Sequence, residues 1–243
     1  MNIRKHIPNI ITLMNLFCGC IALIFVGNYH FETAPNNFEY AFFFVGLGIF
    51  LDFFDGFFAR LFKVSSPLGL QLDSLADMVT SGVVPGFVMY KLMESGSGWD
   101  SPFVPYLGFL ITLGSCYRLA NFNIDTRQTD SFIGLPTPAN ALFILSLPLV
   151  KATSESFFIG EILTDHGILL FITICSAYIL NAEIPLFSLK IKNFNFADNK
   201  IRVLFLSLAV MLLIFFRYLA VPLVIIAYIV LSVINNKFSK KKL

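Results

Sequence analysis

The sequence predicts an all-α, polytopic membrane helix bundle of about eight transmembrane helices with both termini cytoplasmic, and three observations carry that expectation. At 57% hydrophobic, 13% charged and a mean hydropathy of +0.79, the 243 residues lack the polar surface that a water-soluble domain of this length needs. Apolar stretches recur near 7–28, 39–62, 67–94, 102–123, 136–151, 157–181, 201–217 and 219–236, most close to the roughly 20 residues of a bilayer crossing. The basic residues then fall on one side. With the N-terminus inside, fourteen (Arg4, Lys5, Arg60, Lys63, Arg118, Arg127, Lys190, Lys192, Lys200, Arg202, Lys237, Lys240, Lys241 and Lys242) are cytoplasmic, against Lys91, Lys151 and Arg217 outside.

Taken in order, the first stretch starts at Ile7–Pro8, with proline suited to a helix's first turn, and is long enough to remain as a span instead of a cleaved signal. The second and third are joined by a short turn around Ser65, Ser66 and Pro67. Pro85, between Gly82 and Gly86, predicts a kink and close helix contact in the third, either inside the bundle or at a dimer seam. The fourth carries Arg118 and Asn121 near its cytoplasmic end. The fifth is short and holds Pro136, Pro138 and Pro148, so seven spans is the fallback count; Gly134, Pro136 and Pro138 predict a bend or helix start. Arg217 and Tyr218 alone separate the last two, which predicts a tight hairpin. Glu32, Glu39, Glu94, Asp100, Glu155, Glu161 and Asp165 fall in outer segments. Residues 1–243 read as one integral membrane domain, with a catalytic core over about 5–150 and C-terminal helices over 157–236.

The net charge of +2 comes mainly from the tail Lys237–Lys242, which either faces anionic lipid headgroups or acts as a solubilising end. No interleaving of aromatic and basic residues suggests nucleic acid. Cys18, Cys20, Cys116 and Cys175 all lie within spans and have neither disulfide nor zinc spacing, so they read as small buried apolar residues. His6, His30 and His166 are too scattered to build one site.

Against this apolar background, residues 52–77 hold four carboxylates. Each costs roughly 2.5–3.5 kcal/mol at membrane depth on insertion scales, which calls for a shared compensation such as bound cations. Asp52 and Asp55 are three apart and Asp73 and Asp77 four apart, so each pair shares a helix face, and consecutive antiparallel helices bring both pairs to one cytoplasmic end. Hard oxygen ligands without His or Cys suit Mg2+ or Mn2+, and two such ions about 3.5–4 Å apart favour phosphate substrates. Gly56 and Gly69 remove side chains where a ligand approaches the backbone. Arg60 either grips a phosphate or anchors topology, and Ser66 either meets phosphate or caps the third helix. A cation transporter is the rival from another class. It would need polar residues continuing to the far side and an inverted repeat, neither of which is visible.

The string Asp52-x2-Asp55-Gly56-x2-Ala59-Arg60-x8-Gly69-x3-Asp73-x3-Asp77 resembles the signature of the CDP-alcohol phosphatidyltransferases at every fixed position. The resemblance implies transfer of a phosphatidyl group from CDP-diacylglycerol to an alcohol with release of CMP. It implies Asp52, Asp55, Asp73 and Asp77 on two Mg2+ or Mn2+ ions, with Asp77 also the general base. It further implies Gly56, Arg60 and Ser66 at the CDP moiety, with Asn9 and Thr12 approaching the nucleotide from the first span. The runs Leu72–Gly86, Tyr117–Asn123 and Gly134–Ala139 resemble the phosphatidylserine synthase branch, implying L-serine as acceptor, Arg118 and Asn121 as acceptor-binding residues, and a homodimer in a bacterial-type inner membrane with its site facing the cytoplasm. Glycerol 3-phosphate or inositol phosphate as acceptor remains the alternative within the family, although each calls for a further basic cluster beyond Arg60 and Arg118.

Overall fold

The computed structural model describes residues 6–29, 34, 36–64, 66–127, 132–153, 157–187 and 196–240, with side chains left undescribed at 157, 196–198 and 237–240. Arg4, Lys5, His30, Glu32, Ser65, Glu155, Lys190, Lys192, Lys241 and Lys242, named above, lie outside the described residues. The described chain is helical: α1 (Ile7–Gly27), α2 (Asn37–Phe62), α3 (Pro67–Asp77), a π-helical turn (Met78–Val83), α4 (Val84–Glu94), a 3₁₀ segment (Val104–Phe109), α5 (Leu110–Ile124), α6 (Thr137–Thr153), α7 (Phe157–Ile162), α8 (His166–Asn181), α9 (Phe196–Phe216), a 3₁₀ turn (Arg217–Leu219) and α10 (Ala220–Lys240). Among the described residues no strand forms, and two isolated bridges join Ser97 to Asp165 and Ile133 to Pro185.

Local sequence explains the ends that matter for the site. Lys63 adopts a left-handed backbone (φ 56°) and closes α2, with Val64 N–H donating to the Ala59 carbonyl at 3.0 Å. Ser66 then opens α3, its hydroxyl accepting from Gly69 N–H at 3.0 Å, with Pro67 in the first turn. The expected third span is continuous from Pro67 to Glu94 but passes through the wide turn at 78–83 just before Pro85, which has no N–H to offer the preceding ladder.

One expectation is corrected in detail. The stretch 157–181 is not one rod: it breaks between α7 and α8, where the Asp165 carboxylate accepts from Ile168 N–H at 2.8 Å and so starts a new helix. The proline-rich fifth stretch does form a single helix, α6, as the count of eight expects, because Pro138 falls in its first turn and only Pro148 lies inside. The Gly82–Gly86 pair serves internal packing: a Cβ on Gly86 would stand 2.1 Å from Thr112 Oγ1, and one on Gly82 3.2 Å from Ser115 Cβ, both on α5.

The core is shared by six helices. Val26 of α1, Val45 of α2, Val88 and Met89 of α4, Ile111 of α5, Ile144 of α6 and Leu169 of α8 are fully buried in one cluster. The outer belt is apolar as well, with Phe17, Phe43, Phe53, Leu113, Phe171 and Ile214 all more than 60% exposed, a surface suited to lipid and not to water. By length and composition, α1, α2 and the stretch Asn199–Asn236, which covers most of α9 and α10, are sufficient to cross a membrane.

Candidate active site

The site forms where α1, α2 and α3 meet. α1 buries Pro8, Thr12 and Asn15, spaced by four and three, so a single face of this helix looks onto the acidic pair of α2. The Thr12 hydroxyl lies 2.5 Å from Asp55 Oδ2 and 3.1 Å from the Pro8 carbonyl. Asn15 is fully buried, and its Nδ2 donates to Asp77 Oδ1 at 3.2 Å across a separation of 62 residues. Thr80, within the wide turn, donates to the Asn15 carbonyl at 3.2 Å, and Gly48 of α2 leaves room beside Asn15, where a Cβ would stand 2.7 Å from Oδ1. The Asn15 side chain is thus wedged by its surroundings.

The expected convergence is present for three of the four carboxylates. Asp52, Asp55 and Asp73 each offer an oxygen, all within 4.8 Å of one another. Asp77 stands outside that trio, one turn further along α3, and lines the larger of two adjoining cavities together with Asp52. The trio fits a divalent cation on the structure's own terms: its donors are hard oxygens, and Asp52 Oδ1 is buried with no hydrogen-bond partner among the described residues. Asp55 is only 6% exposed, so its charge cannot be left to solvent.

Two cavities share this acidic wall. The smaller, about 180 Å3, is lined by Asn9, Thr12, Ser66 and Gly69; the larger, about 430 Å3, by Asp52, Arg60, Asp77, Arg118, Asn123 and Thr137. Asp55, Gly56 and Asp73 line both. Gly69 keeps the smaller one open, since a Cβ there would come within 3.3 Å of both Asn9 Oδ1 and Ser66 Oγ. Ser66 therefore both caps α3 and faces this cavity. Arg60 belongs to the larger cavity, and its guanidinium lies over Gly56, 3.4 Å from where a Cβ would be.

The expected acceptor pair is separated. Arg118 lines the larger cavity, is 5% exposed, and sits 5.3 Å above the Phe122 ring. Asn121 is exposed and does not line this cavity, whereas Asn123 does, donating from Nδ2 to Ser74 Oγ at 2.8 Å. Arg127 is a loop charge, paired with Asp125 at 3.0 Å and Glu183 at 3.4 Å. Asn15, Ser74 and Asn123 are site residues whose roles the sequence did not assign. Asn15 had a signal, an amide one turn from Thr12 in an otherwise apolar span; the reach of Asn123 depends on where α5 ends.

The far wall is set by the segment after α5. Gly134 has φ +76°, its N–H donates to the Ile184 carbonyl at 2.9 Å, and a Cβ there would stand 2.5 Å from the Leu180 carbonyl oxygen. This bend delivers Phe132, Pro136 and Thr137 to the larger cavity. Gly134→Ala combines a left-handed backbone with a backbone clash, so it is expected to cost about 1–3 kcal/mol, read as a lower Tm in detergent.

Helices that carry paired carboxylates to a two-chambered site within an apolar bundle point to a class, and comparison with known proteins gives the family. The model of the CDP-alcohol phosphatidyltransferase family matches residues 5–173, and the chain belongs to that family. It is similar to the CDP-diacylglycerol–serine O-phosphatidyltransferases of Bacillus subtilis (36% identity; 59% of this chain and 75% of the relative), Helicobacter pylori (32%; 64% and 65%) and Saccharomyces cerevisiae (33%; 58% and 53%). The chain thus spans between about half and three quarters of the length of these relatives. Family and apolar helices together make it a membrane protein.

Proposed function

We propose that this protein transfers the phosphatidyl group of CDP-diacylglycerol to the hydroxyl of L-serine, giving phosphatidylserine and CMP. The observation that carries the reading is the shared acidic wall: a bound pyrophosphate at Asp55 and Asp73 would have one chamber for its nucleotide and another for its lipid phosphate and the acceptor. The names of the relatives supply the serine.

Asp52, Asp55 and Asp73, with Asp77 as a further ligand in the same chamber as Asp52, would hold two Mg2+ or Mn2+ ions, which would supply neutralisation of the pyrophosphate and of the departing CMP. The remaining work falls to the chain. Asn9, Thr12, Ser66, Gly56 and Gly69 shape the nucleotide chamber. Arg60, in the other chamber, faces the lipid-side phosphate with a guanidinium suited to paired oxygens. Arg118 binds the serine carboxylate; its buried setting strengthens a charge-assisted contact. Asp77, in the same chamber, accepts the proton as the serine oxygen attacks the lipid-side phosphorus and the bond to CMP breaks. Asn15 holds the Asp77 carboxylate in place.

Asn15→Leu keeps the volume and removes the hydrogen bond. It is expected to lower kcat by about 10- to 100-fold with little change in KM for either substrate, the pattern of a misplaced base. The reading as a whole is tested by CMP release from purified protein with CDP-diacylglycerol and Mg2+ or Mn2+, comparing L-serine, glycerol 3-phosphate and inositol phosphate. Release with a phosphorylated acceptor alone would overturn serine and keep the family. The cations lining the acceptor chamber, Arg60 and Arg118, leave no spare basic cluster for a second phosphate, which favours serine.

The same reading places eight crossings with both termini and the acidic site on the cytoplasmic side of an inner membrane, supported by the fourteen-to-three division of basic residues. It also includes a homodimer, whose seam must avoid Gly82 and Gly86 because α5 already covers them.

A further inference from the structure

A third cavity, about 240 Å3, lies between α6, α8 and α10 and shares no lining residue with the two chambers of the active site. Its walls are hydrocarbon, from Phe143 on α6, Phe171 and Ile179 on α8 and Ile226 on α10, apart from the hydrogen-bonded pair Asn140 and Ser176. Asn140 is 1% exposed; its Oδ1 accepts from Ser176 Oγ at 2.6 Å, while its Nδ2 has no hydrogen-bond partner among the described residues. A buried amide donor left unpaired is costly, and an apolar cavity offers water too few partners to settle there. What would satisfy both is a molecule that is hydrocarbon along its length and carries a carbonyl acceptor.

Position narrows the occupant. Asn140 lies one turn along α6 from Thr137, which lines the acceptor chamber, so the amide sits slightly deeper than the phosphate-handling groups, where the acyl esters of a lipid in the same leaflet lie. Phe171 and Ile226 are 67% and 48% exposed, so the mouth of the cavity opens onto the apolar outer belt. Thr137 and Pro138 face the acceptor chamber while Asn140 and Phe143 face the cavity, so the first turns of α6 form a partition between the two. We propose that this cavity is a binding site for a resident bilayer phospholipid, taking one acyl chain against α8 and α10 with its ester carbonyl accepting from Asn140 Nδ2. The site is separate from that of the CDP-linked donor, and the inference goes beyond the proposed reaction.

The test is photolabelling of the full-length protein in nanodiscs with a phosphatidylcholine that carries a diazirine on one acyl chain, followed by peptide mapping. Expected is labelling concentrated at Phe143, Cys175, Ile179 and Ile226, unaffected by excess CDP-diacylglycerol and lost in Cys175→Trp, which fills the cavity, while CMP release persists. Asn140→Leu, which fills no space, should reduce the same labelling severalfold. Even labelling along Phe17, Phe43, Phe53 and Leu113 as well would mean annular lipid only and would overturn the proposal. So would displacement by CDP-diacylglycerol, which would assign the cavity to the donor. Because the wild-type pattern is read without turnover, failure of the proposed reaction would leave this result standing, and the reverse.

Discussion

Asp77→Asn is expected to reduce serine-dependent CMP release by about 100- to 10,000-fold, the usual contribution of a positioned general base, a far larger loss than that of Mn2+ and CDP-diacylglycerol binding, which the Asp52–Asp55–Asp73 trio still carries. The separation follows from geometry. Asp77 stands outside the Asp52–Asp55–Asp73 trio and lines only the acceptor chamber, so replacing its carboxylate removes a proton acceptor and leaves the three converging oxygens in place. Asparagine preserves the size of the side chain and the chance to accept from Asn15. Mn2+ titration followed by electron paramagnetic resonance, paired with single-turnover CMP release, measures both quantities on the same sample. If metal affinity fell as steeply as turnover, Asp77 would act through the ions alone and the base would have to be sought elsewhere.

Asp55→Asn is expected to behave in the opposite way. Asp55 belongs to the trio, lines both chambers and lies against the Thr12 hydroxyl, so its loss removes a hard ligand and loosens α1 from α2 at once. Weakening of Mn2+ affinity should exceed the roughly 10- to 100-fold typical of losing an outer-shell partner, and CMP release should vanish with every acceptor. Thr12→Val, which keeps the shape and removes the hydroxyl, separates the two consequences: it should retain metal affinity within about that same outer-shell range. An Asp55→Asn protein that still bound Mn2+ as wild type would remove the trio from the metal assignment.

Much of this site was legible because its parts are close in sequence. Asp52, Asp55, Asp73 and Asp77 sit on two consecutive helices, and helical periodicity alone brings them to one end. What escaped was set by distant contacts. The Asn15–Asp77 bond spans 62 residues and depends on how closely Gly48 and Thr80 let α1 approach. The choice of Asn123 over Asn121 depends on rotation at the end of α5, about two residues' worth, which hydropathy does not resolve. The break between α7 and α8 is written in one residue, Asp165, whose capping role competes with an apolar run long enough to pass as a single span.

The wide turn at 78–83 has a consequence for phase. In an uninterrupted α-helix at about 3.6 residues per turn, Asp73, Asp77, Val84 and Val88 would fall on nearly the same stripe. Such a rod would have to point acid and valine at the same neighbour. By accommodating about one residue more per turn, the turn slips the helical wheel between Asp77 and Val84, so that α3 answers to the polar chambers and α4 to the hydrocarbon centre of the bundle. One residue fewer there would rotate the two halves relative to each other by about 100°, and either the acids or the core would face the wrong way.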